Sequence, residues 1–428
     1  MVKITLGISQ KKRFWRWYML SSLMNSTLLQ GKNILLLVSG SIAVYKALDL
    51  VRIFAKMGAN VRVVMSAGAC KFVTPLSFEA LSHFSVLTDQ NERWNMQEQA
   101  CTNHITYAKA DLVLLAPASA NTLAKLAHGL ADNALTATFL ASHAPKIIAP
   151  AMNTQMLQAP ATQENLERLK SWGCIIVEPK SDLLACNTTG KGALAEIIEI
   201  VGASVKALCL DSFWQDQRVV VTGGGSVEAI DSVRCISNIS SGLQASSLAL
   251  ALWLKGAQVV FISSAFALLP EGITCISVKS AQDYLKALKS EQNFYNPPFL
   301  FMLAAVSDYK SAHVYTGKLK KQDLGSTWNL ECVQNPDILK SLEGFYKIGF
   351  KAEESIESLA SAQKLLEPVD LGGKGCKVVC LNSTQALGAT NNQIVLLNQV
   401  TSQTTKCSTK FDLSFEILDF VRDTYNSC

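Results

Sequence analysis

In the first half of the chain, three side chains could handle protons or substrate groups. They are His104 in Thr102-Asn-His-Ile-Thr106, Asn153 in Pro150-Ala-Met-Asn-Thr154, and Cys186 in a polar, glycine-bearing stretch between Lys180 and Gly192. A lone histidine reads either as a structural residue or as an acid–base group. A loop cysteine is a candidate acid or nucleophile, and equally an incidental exposed thiol. In the second half, Ser240, Ser241 and Gly242 open a long apolar run ending near Trp253. A helix entrance of that composition binds anions; simple capping explains the serines but not Asn238 and Arg234 beside them. The basic knot Lys318-Leu-Lys-Lys321 is either solvated surface or a source of positive charge for a phosphate.

These residues need a frame, and the frame is legible around residues 111–153. An apolar run from Asp111 to Ala116 breaks at Pro117 into Ala118-Ser-Ala-Asn-Thr122, and a helical pattern follows through Lys125. A second run, Lys146-Ile-Ile-Ala149, stops at the Pro150 cluster. Short continuous apolar runs separated by helix predict neighbouring buried strands of a parallel sheet. Polar clusters at the carboxyl ends of such strands are where open α/β sheets bind ligands. Upstream, the strand from Asn33 to Val38 ends in Ser39-Gly-Ser-Ile-Ala43, with a helix over 45–56. Gly40 allows close backbone approach, and the helix start attracts an anion such as phosphate. The dinucleotide fingerprint G-x-G-x-x-G is absent, so a mononucleotide fits better. The strand from Asn60 to Met65 adds Ser66 as a further lip.

Length, at 428 residues, predicts two or three domains. The net charge of +5 is concentrated in residues 1–30, where Lys3, Lys11, Lys12, Arg13 and Arg16 stand without an acid. The rest is neutral, which argues against a nucleic-acid footprint. The segment Trp17 to Met24 is too short and interrupted to span a bilayer or to serve as a secretory signal. We read 1–30 as a disordered or weakly helical extension. The twelve cysteines include no C-x-x-C pair, which points to free thiols in a reducing cytoplasm.

Taken in order, Ser39-Gly-Ser-Ile-Ala43, Ala116-Pro-Ala-Ser-Ala-Asn-Thr122, Pro150-Ala-Met-Asn153 and the Ala185-Cys186 stretch resemble the flavin-containing cysteine decarboxylases. The resemblance implies FMN held by Gly40, Ser41, Ser66, Ser119, Ala120, Asn121 and Thr122. It also implies His104 as base, Asn153 as substrate holder and Cys186 as proton donor. The chemistry explains those types. Oxidising the thiol-bearing carbon places an electron sink β to the carboxylate, so CO₂ can leave. An acid on a closing loop then completes the product.

The second half carries a strand from Arg218 to Thr222, the triplet Gly223-Gly-Gly225, Ala304-Ala-Val-Ser-Asp308, Val333-Gln-Asn-Pro-Asp-Ile338 beginning a helix, and the strand Lys347-Ile-Gly-Phe350. With the strand from Val378 to Asn382, this order resembles the phosphopantothenate–cysteine ligases. The whole chain is therefore similar to the bifunctional enzymes of coenzyme A synthesis. The resemblance implies CTP on Asp308, Lys318, Asn335, Pro336, Asp337, Ile338, Phe350 and Lys364, with Asn238 at an acyl-cytidylate and Mg²⁺ on the triphosphate. Ser226 departs from the family's Gly-Pro-Thr, and Leu243, Gln244 and Ala245 from its Ser-Gly-Lys-Met-Gly. Lys351 stands where the family has alanine. A second nucleotide lysine shortly after Lys364 is out of register, and Lys374, beyond an apparent insertion at 368–373, is its candidate replacement.

The expected architecture is α/β, with two Rossmann-like three-layer domains in tandem: a flavodoxin-like flavoprotein domain over 31–210 and a ligase domain over 217–428. Small-molecule substrates, no nucleic acid or membrane, a homo-oligomer and a cytoplasmic location complete the expectation. Two alternatives stand beside it: a decarboxylase with a weakened ligase half, and a non-catalytic flavin-fold regulator. His104, Asn153 and Cys186 together oppose the regulator.

Overall fold

The structure is a computed structural model. It describes residues 23–24, 26–94, 103–183, 189–265, 267, 269–270, 272–292, 297–354, 359–384 and 388–427, apart from the side chains of Lys321 and Asp323. Cys186 lies outside the described residues, as does most of the basic segment at the start. The chain divides at Cys209/Leu210 into two compact units.

The first unit runs β1 (Asn33–Val38), α1 (Val44–Lys56), β2 (Asn60–Met65), α2 (Ala67–Cys70), α3 (Pro75–Ser82), α4 (His104–Ala108), β3 (Leu112–Ala118), α5 (Ala120–Ala127) and α6 (Ala134–Ala141). It continues through β4 (Lys146–Pro150), α7 (Thr154–Gln158), α8 (Pro160–Ser171), β5 (Ile175–Ile176), β6 (Lys180–Leu183), β7 (Thr189–Ala193) and α9 (Ile197–Cys209). The sheet order is β2-β1-β3-β4-β5, parallel throughout. Because strand side chains alternate between faces, Leu35, Leu37, Val113 and Leu115 pack on one face against Leu123, Leu126, Phe139, Leu166 and Leu169. The opposite face meets α1 and α9. On α1, Val44, Ala47, Leu50, Val51 and Phe54 form the buried stripe that helical periodicity requires. Leu23 and Leu29 are fully buried, so the packed unit begins ahead of residue 31.

One local expectation changes. The polar stretch read as a loop around Cys186 is flanked by the antiparallel pair β6 and β7. Gly190 and Gly192 explain the pairing. A Cβ on either would strike Thr154 Oγ1 or the Met152 carbonyl, so glycine lets β7 lie against residues 152–154. The Met152 N–H donates to the Gly192 carbonyl across that contact, at 2.9 Å.

The second unit contains β8 (Arg218–Gly223), β9 (Val227–Ala229), β10 (Cys235–Ser237), α10 (Leu243–Leu254), β11 (Gln258–Ser263), β12 (Thr274–Ser277), α11 (Ala281–Lys289), β13 (Phe299–Met302), β14 (Tyr309–Ser311) and β15 (Cys332–Gln334). Then come α12 (Ile338–Ser341), β16 (Tyr346–Glu353), α13 (Ala360–Leu366), β17 (Val378–Ser383), β18 (Asn391–Asn392), β19 (Ile394–Leu397), β20 (Ser402–Thr404), β21 (Ser408–Thr409) and α14 (Lys410–Asn426). The main sheet is ordered β12-β11-β8-β13-β16-β17-β19-β20. Its first six strands are parallel in the doubly wound Rossmann order, and β19 and β20 extend it antiparallel. Val219, Val221, Phe299 and Phe301 face α10 and α14. Val220, Leu300 and Met302 face α11, α12 and α13. Val333 and Gln334 belong to β15 rather than to a helix start, which Asp337 caps instead.

Candidate active sites

In both units the strand order reverses once, the place where doubly wound sheets bind ligands, and a cavity lies beside each reversal. In the first unit the reversal lies between β1 and β3. Ser39 is fully buried at this seam: its hydroxyl donates to the Pro117 carbonyl and accepts from the Ser119 N–H, both at 2.8 Å. Gly40 follows, with so little space that a Cβ would lie 3.1 Å from the backbone of Gly68. No side chain caps α1, although the Val44 and Lys46 N–H groups already donate to the Ser41 and Ala43 carbonyls at 3.1 and 3.0 Å; the positive end of the helix still favours an anion. Ser66 caps α2 by accepting from the Ala69 N–H at 3.2 Å, and Ser119 caps α5 by accepting from the Thr122 N–H at 3.4 Å. Ala120 and Asn121 begin α5, with Asn121 exposed and Thr122 buried.

A cavity of about 470 Å³ beside this seam is lined by Ser41, Lys46, Met152, Asn153, Asp182 and Leu183, among others. It joins the start of α1, the end of β4 and the β6–β7 pair. Asn153 caps α7 by accepting from the Gln155 N–H at 2.8 Å. Thr154 Oγ1 next to it is buried without a partner among the described residues. His104 does not line this cavity. It begins α4, with Nδ1 2.6 Å from Glu92 Oε1. Glu92 escaped the sequence reading because nothing marks a glutamate twelve positions upstream as a partner.

In the second unit the order reverses between β8 and β13. Ser226, fully buried, accepts from the Ser307 N–H at 2.9 Å, and its own N–H donates to the Ala305 carbonyl at 3.2 Å. The carbonyls of Gly223 and Gly225 are taken by the hydroxyls of Ser263 and Ser264. A cavity of about 370 Å³ beyond β13 and β16 is lined by Asp308, Asn335, Pro336, Asp337, Ile338, Phe350 and Lys364, and also by Lys351 and Lys374. The Asn335 side-chain amide donates to the Ser307 carbonyl at 2.9 Å, tying this segment to the seam.

Lys374 reaches the cavity because the chain turns back at 368–375, where the Gly375 N–H donates to the Glu367 carbonyl at 2.8 Å. Its ammonium pairs with Asp337 at 3.0 Å. Beneath, buried Lys347 donates to the carbonyls of Leu339 and Lys374, at 2.8 and 3.3 Å. Burial pushes the Lys347 ammonium below its ordinary value and raises the neighbouring Cys376 thiol to about 11.

A second cavity, about 220 Å³, shares Phe350 and Lys351 and is also lined by Ser240, Ser241, Gly242 and Asn382. Asn238 and Lys318 line neither. Asn238 is exposed and donates to the Val306 carbonyl at 3.1 Å, beside the seam. Lys318 lies in an exposed loop fixed at its neighbour Leu319, whose N–H donates to Asp231 and whose carbonyl accepts from Arg234. Burial alone would raise the Asp231 carboxyl, but N–H donors from Val233, Arg234 and Leu319, with the Arg234 charge, hold it down to about 2. Asp231 was missed in sequence because it reads as a surface acid; Arg234 alone stood out.

Residues 22–209 match the Flavoprotein family model, and residues 214–425 match the model described as DNA/pantothenate metabolism flavoprotein C-terminal domain. The coenzyme A biosynthesis bifunctional protein CoaBC of Bacillus subtilis (strain 168) is 38% identical over 406 residues, covering 91% of this chain and 97% of the relative. That of Escherichia coli (strain K12) is 35% identical over 384 residues, covering 87% and 92%. The chain belongs to the coenzyme A biosynthesis bifunctional protein family. A solved C-terminal domain of one such protein covers 51% of this chain and 100% of its own length, at 25% identity and a TM-score of 0.41. As a member of the bifunctional family, the chain is an enzyme with decarboxylase and ligase activities, and its first half is a flavoprotein. Among the described residues, no helix is long and apolar enough to cross a membrane.

Proposed function

We propose that the second unit joins cysteine to 4′-phosphopantothenate, using CTP through an acyl-cytidylate. The first unit then decarboxylates phosphopantothenoylcysteine to 4′-phosphopantetheine with FMN. The reading rests on one observation above the others: Asp308, the Asn335 to Ile338 segment, Phe350 and Lys364, from four separate parts of the sequence, line a single cavity. A triphosphate needs such a place, with cations for its oxygens and a wall for its base. Lys364 and Lys374 supply positive charge there, and Lys374 exchanges Asp337 for phosphate when nucleotide enters. Asp308 and Asp337 are oxygen donors of the kind Mg²⁺ accepts, and Mg²⁺ characteristically binds by one or two carboxylates together with substrate phosphates. Asn238 holds the activated acyl group, and Lys318, steadied through Leu319, offsets charge developing on the transferred phosphorus.

The first unit fits FMN by two features of its own residues. The approach of Gly40 to Gly68 leaves a backbone cradle, and the start of α1, with no side-chain cap, opens on the cavity that Ser41, Tyr45 and Lys46 line, where the positive end of the helix and Lys46 favour a phosphate. Ser41, Ser66 and the Ser119 to Thr122 turn would hold the rest. When bound, FMN supplies the two-electron acceptor that lets a β-carboxylate depart. Asn153 binds the substrate's carboxylate or amide without adding a competing charge. His104 takes the thiol proton, and Cys186 returns a proton to the finished product. The enzyme works in the cytoplasm, as a homo-oligomer.

The test uses the purified full chain in two separate half-reactions. We expect yellow protein, CO₂ release from phosphopantothenoylcysteine, and CMP release from phosphopantothenate, cysteine and CTP. Colourless protein that neither takes up FMN nor releases CO₂ would overturn the first assignment, and absence of CMP the second.

A further inference from the structure

We propose that Glu92 is the positioning residue of the decarboxylase base, fixing His104 in the one tautomer that can take the substrate's thiol proton. The inference rests on the reading of His104 as that base. His104 is the first residue of α4, and Asn103 caps the helix by accepting from the Thr106 N–H at 2.9 Å. The His104 N–H is therefore one of the leading donors without an intrahelical acceptor. Glu92 Oε1 takes it at 3.1 Å and, with the same oxygen, contacts His104 Nδ1 at 2.6 Å. One carboxylate oxygen thus holds both the backbone and the ring of this residue. The Trp94 indole meets the imidazole nearly edge-on, with centroids 5.1 Å apart and planes at 78°. Main chain, carboxylate and indole together leave the ring little freedom to turn.

The chemistry follows from what each atom can do. An ionised carboxylate only accepts hydrogen bonds, so Nδ1 carries the hydrogen and Nε2 keeps its lone pair. A substrate S–H then gives its proton to Nε2, leaving a thiolate and an imidazolium, and Glu92 opposes the new charge across 2.6 Å. No other carboxylate is placed to do this among the described residues packed around α4. The facing helix α6 carries no titratable side chain. Asp89, the nearby acid, spends its Oδ1 on the Ala134 N–H at 2.7 Å. Capping of the His104 N–H alone would be a structural role, and it would not require the contact to Nδ1.

Glu92→Leu and Glu92→Gln separate tautomer from charge. Glutamine, with its oxygen in the place of Oε1, accepts from both donors and keeps the ring hydrogen on Nδ1 but brings no charge, whereas leucine removes this acceptor from both donors and frees the ring to carry its hydrogen on Nε2. By analogy with the loss of the orienting acid in a hydrolase triad, we expect kcat for CO₂ release to fall about 100-fold or more in Glu92→Leu and by less in Glu92→Gln. KM for phosphopantothenoylcysteine should stay within about twofold, and CMP release should not change. Glu92→Asp, which restores the charge, should recover part of the loss. Nitrogen-15 spectra of histidine-labelled full-length protein supply the second readout, with the His104 signals identified by their disappearance in His104→Asn. Wild type and Glu92→Gln should show hydrogen on Nδ1, and Glu92→Leu a shift of hydrogen toward Nε2. A Glu92→Leu enzyme with undiminished CO₂ release, or one that loses it with the tautomer unchanged, overturns the proposal. If His104→Asn itself turns over normally, the assignment of His104 as base fails instead.

Discussion

At the β1–β3 reversal, buried Ser39 ties two neighbouring strand ends together; at the β8–β13 reversal, buried Ser226 does the same. The surroundings then diverge. Around Ser39 the seam itself is built from small, neutral residues, among them Gly40, Ser66, Ala120 and Thr122, and among the described residues the cavity beside it carries only Lys46 and Asp182 as charged groups on its wall. Around Ser226 the adjoining cavity is charged, with Asp308, Asp337, Lys351, Lys364 and Lys374 on its walls. The same sheet geometry thus places two different chemistries, because the fold fixes where strand ends gather while the loops decide what they hold. A neutral cradle suits a flat ring anchored by one phosphate; a cavity rich in lysine suits a triphosphate.

The largest expected effect is at the neutral site. In Gly40→Val the added carbons meet the Gly68 backbone, which a Cβ alone would approach to 3.1 Å. We expect FMN affinity to fall by more than about tenfold, a loss above about 1.4 kcal/mol, with CO₂ release falling alongside. CMP release should be unaffected; retained flavin, measured by absorbance after gel filtration, would show that the cradle lies elsewhere.

At the charged site, Lys364→Ala and Lys374→Ala should each raise KM for CTP about 10- to 100-fold, as loss of a hydrogen bond to a charged group, about 1.5–3 kcal/mol, implies. CO₂ release from preformed phosphopantothenoylcysteine serves as the folding control. An unmoved KM in Lys374→Ala would remove this lysine from the nucleotide site and return weight to a ligase weakened by its departures from the family pattern.

The shared feature gives a smaller, symmetrical effect. Ser39→Ala leaves the Ser119 N–H unpaired and Ser226→Ala the Ser307 N–H, each at a cost of about 1–3 kcal/mol. Calorimetry should show each substitution lowering the melting of its own unit. Equal shifts in both would contradict independent melting of the two compact units.

The smallest effect concerns pH. The Asp231 carboxyl drops from its ordinary 3.8 to about 2 on folding, so its contribution to stability is complete above the ordinary value. That contribution is lost as pH falls from about 3.8 through about 2. Asp231→Asn should flatten this part of the acid-unfolding curve and loosen the Lys318 loop; an unchanged curve would mean that another acid carries the dependence.

Strands buried on both faces were plain in the sequence, since runs such as Ile34 to Val38 and Val219 to Val221 leave little choice of structure. Polar clusters at their ends marked both openings for the same reason. The β6–β7 pair was hidden because its residues are polar and its glycines serve contact with residues 152–154 rather than a turn. The antiparallel β19 and β20 carry no signal that separates them from further parallel strands. Glu92 and Asp231 were illegible for another reason: each gains meaning only from a partner that folding brings near, His104 in one case and Leu319 in the other. Lys374 lies between, visible as a lysine past an insertion but placed only by the turn at 368–375.

The most direct test of two chemistries on one chain is a single reaction of phosphopantothenate, carboxyl-labelled cysteine and CTP with the purified enzyme, its products followed by mass and its CO₂ by label. The account predicts labelled CO₂, CMP in equal amount and a thiol product lighter than the amide adduct by one CO₂. CMP with an undegraded adduct, or labelled CO₂ released without any CTP, would contradict it.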